Sequence, residues 1–385
     1  MSKSNDAGHF FQTSAALETT SRKEAKAKNK HGKPIKISSK VLAAHADIFG
    51  STAIPTVFVA EAAGEVKRVK LEAGKVERIF NGSAAPLTSL AICPITKTLF
   101  TGSWDKTIYC IPLDKPSEVQ KLTGHSDFIK TLLPASLAGK PILISGGADA
   151  NIIVWDPTTG KQLHKLKGHT KALQHLTIDP LSQESDSFTL FSASSDREIR
   201  RWHISLDSAH ELSESLSGPI RPHETSIYAL HWDADGSGLW TASADFTAKY
   251  LVRDRDWEAD TTLQHPDFVR DVLPFEDLGL VVTACRDEEV RVWDVASGKC
   301  VCTYSGHYEE VTALVPAVGG RGVVSVGIDG TVRQWSLERV EMAKFVEERE
   351  QEMNGMVKDE SNEKKEGMLT AEEEAELAEL MDGED

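Results

Sequence analysis

Four groups of side chains in this sequence have the composition of a hydrolase site. His125, Ser145, Asp149 and Trp155 recur as His169, Ser192, Asp196 and Trp202, as His265, Thr283, Asp287 and Trp293, and as His307, Ser325, Asp329 and Trp335. A histidine between a hydroxyl and a carboxylate is the arrangement that activates a nucleophile for acyl transfer. An enzyme needs that arrangement once. Four copies, with hydroxyl, aspartate and indole at fixed offsets and the histidine 22 to 27 residues before the aspartate, point instead to a structural lock, because indole N–H, hydroxyl, imidazole and carboxylate are donors and acceptors that satisfy one another.

The elements that must position these residues follow from their period. The aspartates and their equivalents stand at Ala63, Asp105, Asp149, Asp196, Asp245, Asp287 and Asp329, at intervals of 42, 44, 47, 49, 42 and 42 residues. Such a period holds four strands of about 5 to 6 residues with their turns. Six residues after each aspartate come Ile111, Trp155, Trp202, Leu251, Trp293 and Trp335. Four residues before it come Thr101, Ser145, Ser192, Thr241, Thr283 and Ser325, a hydroxyl every time. Upstream stand His125, His169, His223, His265 and His307. In VWDPTTGKQLHKLKGH (154–169) and VWDVASGKCVCTYSGH (292–307), a Gly-His pair follows the Trp-Asp pair at the same distance.

This period and residue set resemble the WD-repeat family of β-propellers over residues 34–337. The resemblance implies an all-β, seven-bladed propeller in which each lock ties the second and third strands of a blade to the loop entering its first. Trp-Asp then ends a third strand, and Gly-His lies past the fourth. After Trp335 the chain runs SLERVEMAKFVEEREQEM, which reads as helix and leaves blade seven without a fourth strand. An open sheet edge is a liability. GKPIKISSKVLAAH (32–45) resembles the fourth-strand units, so Pro34 to Leu42 is expected to supply the outer strand of blade seven as an N-terminal latch. The pattern departs at Ala63 and Val69 in the first copy, at the missing histidine and Ile111 in the second, and at Leu251 in the fifth. Those blades are expected to rely on apolar packing and to be the least stable.

Charge divides the chain further. The net charge of −16 is uneven, with 9 Lys/Arg against 3 Asp/Glu in residues 1–40 and 6 against 18 in residues 338–385. Residues 1–33 read as a basic disordered leader and 338–353 as a helix with apolar Val340, Met342, Phe345 and Val346. Residues 354–385 read as an acidic tail. Within that tail Thr370 and Glu373 have capping-box spacing ahead of a stripe of Leu377, Leu380 and Met381. So short a helix is marginal alone, which leaves folding on a partner or a solubilising role. No apolar run approaches the roughly 18 residues of a membrane helix, and the N-terminus lacks the apolar core of a secretory signal. Residence in the cytosol or nucleus is therefore expected. The five cysteines read as reduced thiols, with Cys300 and Cys302 as alternate residues of one strand, and no cofactor or metal is expected. Insertions are placed at 179–188, 207–222 and 252–260, where Trp257 is either an exposed contact or folded onto its blade.

Function should sit on the ring face that carries the lock loops. Positions three and five past each histidine and one before each aspartate select Trp104, Phe128, Lys130, Tyr228, Phe268, Arg270, Arg286 and Ile328, with Glu310 the main acidic residue. Tryptophan, tyrosine and arginine are the usual anchors of protein interfaces, so this face suits an acidic or phosphorylated segment, unless its aromatics only fill the channel mouth. The resemblance implies a non-enzymatic scaffold or adaptor. Charge complementarity suggests escort of a basic partner such as a ribosomal protein or a histone. A substrate receptor in ubiquitin ligation is an alternative, weakened because no F-box-like segment precedes the ring. An enzyme on a propeller is the competing class, and no catalytic set remains once the locks are assigned. Arg200-Arg201 is followed by Trp202 rather than the glycine of the family's phosphoinositide-binding variant, and the acidic chain disfavours nucleic acid.

Overall fold

GVVSVG (Gly322–Gly327) is short and rich in β-branched residues, which suits a strand buried on both faces, while EVRVWD (Glu289–Asp294) alternates charged and apolar residues over its first four positions, as a half-buried strand does. The computed structural model describes residues 14–50, 55–212, 218–317 and 319–366. Among the described residues, 28 strands form seven four-stranded antiparallel sheets. Blade 1 comprises Val41–Ala46, Thr56–Glu61, Glu65–Lys70 and Lys75–Asn81, and blade 2 comprises Leu87–Cys93, Thr98–Ser103, Thr107–Pro112 and Gln120–Thr123. Blade 3 comprises Ile129–Leu137, Lys140–Gly147, Asn151–Asp156 and Lys161–Lys167, and blade 4 Leu173–Ile178, Ser187–Ser194, Ile199–Ser205 and Ala209–Glu211. Blade 5 comprises Ile227–Trp232, Gly238–Ser243, Thr247–Val252 and Glu258–Gln264, and blade 6 Val269–Phe275, Leu280–Cys285, Glu289–Asp294 and Lys299–Ser305. Val311–Pro316, Gly322–Gly327 and Thr331–Ser336 make three strands of blade 7.

The first strands of successive blades touch, and that of blade 7 meets that of blade 1, so the sheets form a seven-bladed β-propeller with first strands innermost. Apolar residues lie between blades rather than in one central core. Ile144, Val154 and Leu166 of blade 3 pack with Leu176, Leu190 and Trp202 of blade 4, and Val324 and Val332 of blade 7 pack with Val57 and Val69 of blade 1. Each inner strand also carries a bulge near its start. The register skips Leu42, Thr88, Lys130, Gln174, Tyr228, Arg270 and Thr312, one residue per blade. A bulge re-aims the side chain it displaces.

The ring closes through the N-terminal segment, with a shorter strand than the sequence indicates. Ile35–Lys36 pairs antiparallel with Val332 and Thr331, flanked by Ile37 N–H to Gly330 O at 2.7 Å and Gln334 N–H to Gly32 O at 2.8 Å. Val41 and Leu42, assigned by sequence to the latch, start the innermost strand of blade 1. The segment that reads as a disordered leader carries helix α1 (Ser14–Ala27), whose alanine, lysine and glutamate are good helix formers. Arg22, Lys23 and Lys26 pair with Glu288, Glu309 and Glu289 of the ring, so these cations are not merely solvated. Trp257 is buried against Phe191 and Trp232, with the Arg253 guanidinium over its ring, so it is a packing residue.

A second unit begins at Glu338. Its helix α2 (Arg339–Glu366) continues past residue 353 into the stretch that reads as an acidic tail, and its earlier turns carry the Arg349–Glu352 ion pair at 2.8 Å. Leu377, Leu380 and Met381 lie outside the described residues.

Candidate protein-interaction face

The face is built on the locks. In blade 3 the Trp155 indole donates to Ser145 Oγ at 2.8 Å, Ser145 Oγ lies 2.8 Å from His125 Nε2, and His125 Nδ1 lies 2.9 Å from Asp149. A carboxylate only accepts, so Nδ1 carries the proton and the bonds run in one direction from indole to carboxylate. The same set closes in blade 4 through Trp202, Ser192, His169 and Asp196, and in blade 7 through Trp335, Ser325, His307 and Asp329. The Gly-His pairing follows from this geometry. A Cβ on Gly124, Gly168 or Gly306 would stand 2.7 to 2.8 Å from the indole of Trp155, Trp202 or Trp335, so glycine makes room for the ring that the next residue's imidazole helps to hold.

The remaining blades depart from this pattern in different ways. Blade 5 keeps His223, Thr241 and Asp245, with Leu251 in place of the indole. In blade 2, Ser83 takes the histidine's place and Tyr109 donates to Asp105 at 2.6 Å. Blade 1 substitutes an ion pair of Lys67 with the buried Glu61 at 2.7 Å. The blade 6 set, complete in sequence, does not close. His265 and Trp293 reach Thr283, but His265 Nδ1 faces Leu263 O, and Asp287 is held by Arg291 instead.

Electrostatics match the bonding. Burial pushes Asp149 up, but the Ser126 N–H and His125 outweigh it and bring the carboxyl to about 2. Burial lowers His125, and it takes His265, without its carboxylate, down to about 4. Ser145, Ser192 and Ser325 have no accessible surface. With an indole N–H on each oxygen and no path for a substrate, the triads cannot act as nucleophilic centres. His169, Asp196 and Glu198 come within 4.8 Å of one another, the spacing of a metal site. His169 is engaged with Asp196 and Ser192, and Glu198 accepts from Arg200 and Arg221, so these residues serve the lock and two ion pairs.

On this frame the loops are pinned blade by blade. The residue before each aspartate donates its backbone N–H to the loop entering the inner strand: Trp104 to Pro86, Ala148 to Phe128, Arg286 to Phe268 and Ile328 to Glu310, at 2.7 to 3.0 Å. Trp104 and Phe128 stack with centroids 5.1 Å apart. Arg286 lies 4.8 Å over Phe268, and Arg270 lies 4.2 Å over Tyr228. Ile328 is half-buried and joins neither stack. The cations are less free than their number suggests. Arg270 Nε lies 2.8 Å from Glu310, a charge contact without hydrogen-bond alignment, and Arg286 lies 3.9 Å from Asp267. Lys130, like Arg270, is the bulge residue near the start of its innermost strand, and its pKa is lowered by burial and by the Arg270 charge.

Phe246 belongs to this face and was missed by the sequence rule. It is 43% exposed and stacks on Phe268 at 5.6 Å. Its position, one past the aspartate, has a positive φ in every blade. Gly64 and Gly330 occupy it in blades 1 and 7, while Lys106, Ala150, Arg197, Phe246 and Glu288 hold the same conformation at a steric cost. The two glycines are the available sequence signal that this position is a turn displaying whatever side chain it carries.

Comparison with known proteins agrees with this geometry. Residues 74–111, 116–156, 160–203 and 298–336 match the family described as WD domain, G-beta repeat. A WD repeat-containing protein of Schizosaccharomyces pombe is 35% identical over 346 residues, covering 87% of this chain and 90% of that protein. The chain belongs to the WD-repeat family. This WD-repeat protein is also similar to pre-mRNA-processing factor 19 of Mus musculus, with 29% identity over 52% of the chain, and to nuclear distribution protein PAC1 of Arthroderma otae, with 25% over 77%. It spans 40% and 60% of those two proteins. The WD40 β-propeller domain of Doa1 has the same fold, with a TM-score of 0.65 and 19% identity, covering 81% of this chain and 98% of that domain. These likenesses support a protein-interaction scaffold.

Proposed function

We propose that this WD-repeat protein is a non-enzymatic scaffold or adaptor whose lock-bearing face receives an acidic segment of a partner protein. The observation that carries the reading is the pair of aromatic stacks, Trp104 on Phe128 and Phe246 on Phe268, flanking Lys130, Arg270 and Arg286 on loops that the blades hold rigid. Aromatic and arginine side chains fixed in advance lose little entropy on binding. The acidic body and C-terminal segment suit a basic partner of ribosomal-protein or histone character in the cytosol or nucleus. No helix among the described residues is long and apolar enough to cross a membrane.

The test is affinity purification with quantitative mass spectrometry on three forms: the intact chain, a chain ending at Gly367, and a Trp104→Ala, Arg270→Ala, Arg286→Ala variant. Partners lost with the triple variant and kept by the truncated chain support the face. Full retention by the triple variant refutes it. Loss of basic proteins with the last 18 residues supports the escort role of the tail.

A further inference from the structure

A carboxylate taken out of water needs a cation beside it, because desolvation otherwise outweighs every other term. Glu288 is such a group. Its side chain is 6% exposed although it stands on a turn, in the left-handed conformation that displays Phe246 in blade 5. Its two oxygens are taken one each by Arg22 and Lys26 of α1, both at 2.8 Å. Lys26 also reaches Glu289 at 2.9 Å, and Lys23 reaches Glu309 at 2.8 Å. The three carboxylates belong to blade 6 and the loop into blade 7, and they form a notch in which a basic helix of the same chain is seated.

Among its described side chains the attachment of that helix is electrostatic. Its described side chains, Thr20 to Glu24, Lys26 and Ala27, include no apolar group larger than alanine. The Arg22 side chain is 59% exposed and Lys23 35% exposed, so water and salt reach these pairs. A 14-residue helix is marginal in isolation. The fit is also incomplete, since Lys26 and Ser305 both bond Glu289 Oε1 while Oε2 is buried without a hydrogen-bond partner. The notch therefore demands cations, holds the described side chains of its present helix by screened charge, and retains an unmet acceptor.

We propose that the notch formed by Glu288, Glu289 and Glu309 is a docking site for a Lys/Arg-rich helical segment of a partner protein, and that α1 is its resident occupant, displaced when the partner binds. The pattern recognised is a cation at positions i and i+4 to straddle Glu288, with a third at i+1 for Glu309. Arginine is favoured at i+4, because its fork reaches both oxygens of Glu289 where the lysine point charge reaches one. The site rests on the scaffold reading, and it turns the general affinity for a basic partner into a defined exchange in which the cations of α1 stand in for those of the partner.

The probe is a dye-labelled peptide of residues 14–31, together with its Lys26→Arg form, measured by fluorescence anisotropy against full-length protein. Against an R22Q/K23Q/K26Q variant, whose own helix no longer competes, binding is expected to be at least about tenfold tighter than against the unaltered chain, since a tethered competitor acts at an effective concentration near the millimolar range. The Lys26→Arg peptide should bind more tightly still, and adding Glu288→Gln should abolish binding. Equal affinity for the unaltered chain and the triple variant overturns the proposal, as does binding that survives E288Q. Binding that survives E288Q but is lost in a chain ending at Gly367 assigns basic peptides to the tail and also overturns it. Should the triple variant fail to fold, hydrogen exchange on the unaltered chain decides. Amides 14–27 should lose protection between 0.05 and 0.5 M NaCl, on the order of the range over which surface pairs are screened, while blades 6 and 7 keep theirs; unchanged protection of α1 refutes the exchange. Trp104, Arg270 and Arg286 lie outside the notch, so failure of the face reading is scored independently.

Discussion

Replacing Asn29 with alanine tests how the ring is closed. Arg333, in the third strand of blade 7, is 1% exposed, and burial lowers its pKa. Its guanidinium donates to Asn29 Oδ1 at 2.8 Å, to the backbone oxygen of His31, and to Thr331 Oγ1 at 3.2 Å. Asn29 Nδ2 in turn donates to Gly306 O at 2.9 Å. Asn29→Ala removes a hydrogen bond to a buried charge, about 1.5 to 3 kcal/mol, and three neutral bonds, to Gly306 O, to Lys26 O and from the His31 N–H, of about 0.5 kcal/mol each at this half-exposed site, so the expected loss is about 3 to 4.5 kcal/mol. At about 2.1 cal/mol/K of unfolding entropy per residue over a propeller of this size, that lowers the melting midpoint by roughly 4 to 7 °C. Arg333→Met removes the charge that needs the acceptor, and in that background Asn29→Ala should cost only its three neutral bonds, about 1.5 kcal/mol. Asn29→Asp, which keeps an acceptor for Arg333 and loses the donor to Gly306, should fall between. Urea unfolding followed by fluorescence of the 8 tryptophans measures the unaltered chain and all four variants. An equal cost of Asn29→Ala in both backgrounds, or no cost in either, would show that the N-terminal segment does not hold the closure through Arg333.

Ser145→Ala should destabilise the protein by about 2 to 3 kcal/mol in the same assay, since it orphans both the Trp155 indole and His125 Nε2 in a buried site. Stability should fall as pH drops from 6.5 toward 4. His265 and His175, brought by burial to about 4, stay neutral in the fold while the unfolded chain takes up protons below 6.5, and His265→Gln should remove a slope worth up to about 3 kcal/mol over that window. Hydrogen exchange should show blades 1 and 2, which lack the histidine lock, opening before blades 3 and 4; the reverse order would refute a stabilising role for the locks.

The parts of this molecule legible in its sequence are those set by residue type at short range. A hydroxyl, an aspartate and an indole at fixed offsets within one blade meet because the strands between them have fixed lengths, so the period, the blade count and three closed locks follow from spacing. Contacts that depend on a competing acceptor elsewhere do not. The fourth residue past the turn position shows why: it is Lys67, Tyr109, Arg200, Lys249, Arg291 or Arg333 in six of the seven blades, a long polar side chain beside the lock. Where another acceptor lies within reach, that side chain leaves the lock alone. Arg200 goes to Glu198 and Glu211, Lys249 to Pro222 O, and Arg333 to Asn29 and the His31 carbonyl. In blade 6 Arg291 instead takes Asp287 of its own blade, and His265 loses its carboxylate. The same limit hides α1, whose cations read as solvated charge until the fold brings Glu288, more than 260 residues away, beside Arg22 and Lys26. Lock failure in blade 6 and helix capture between blades 6 and 7 are thus two results of one local surplus of charge, in which each cation is fixed by whichever carboxylate the ring leaves unpaired.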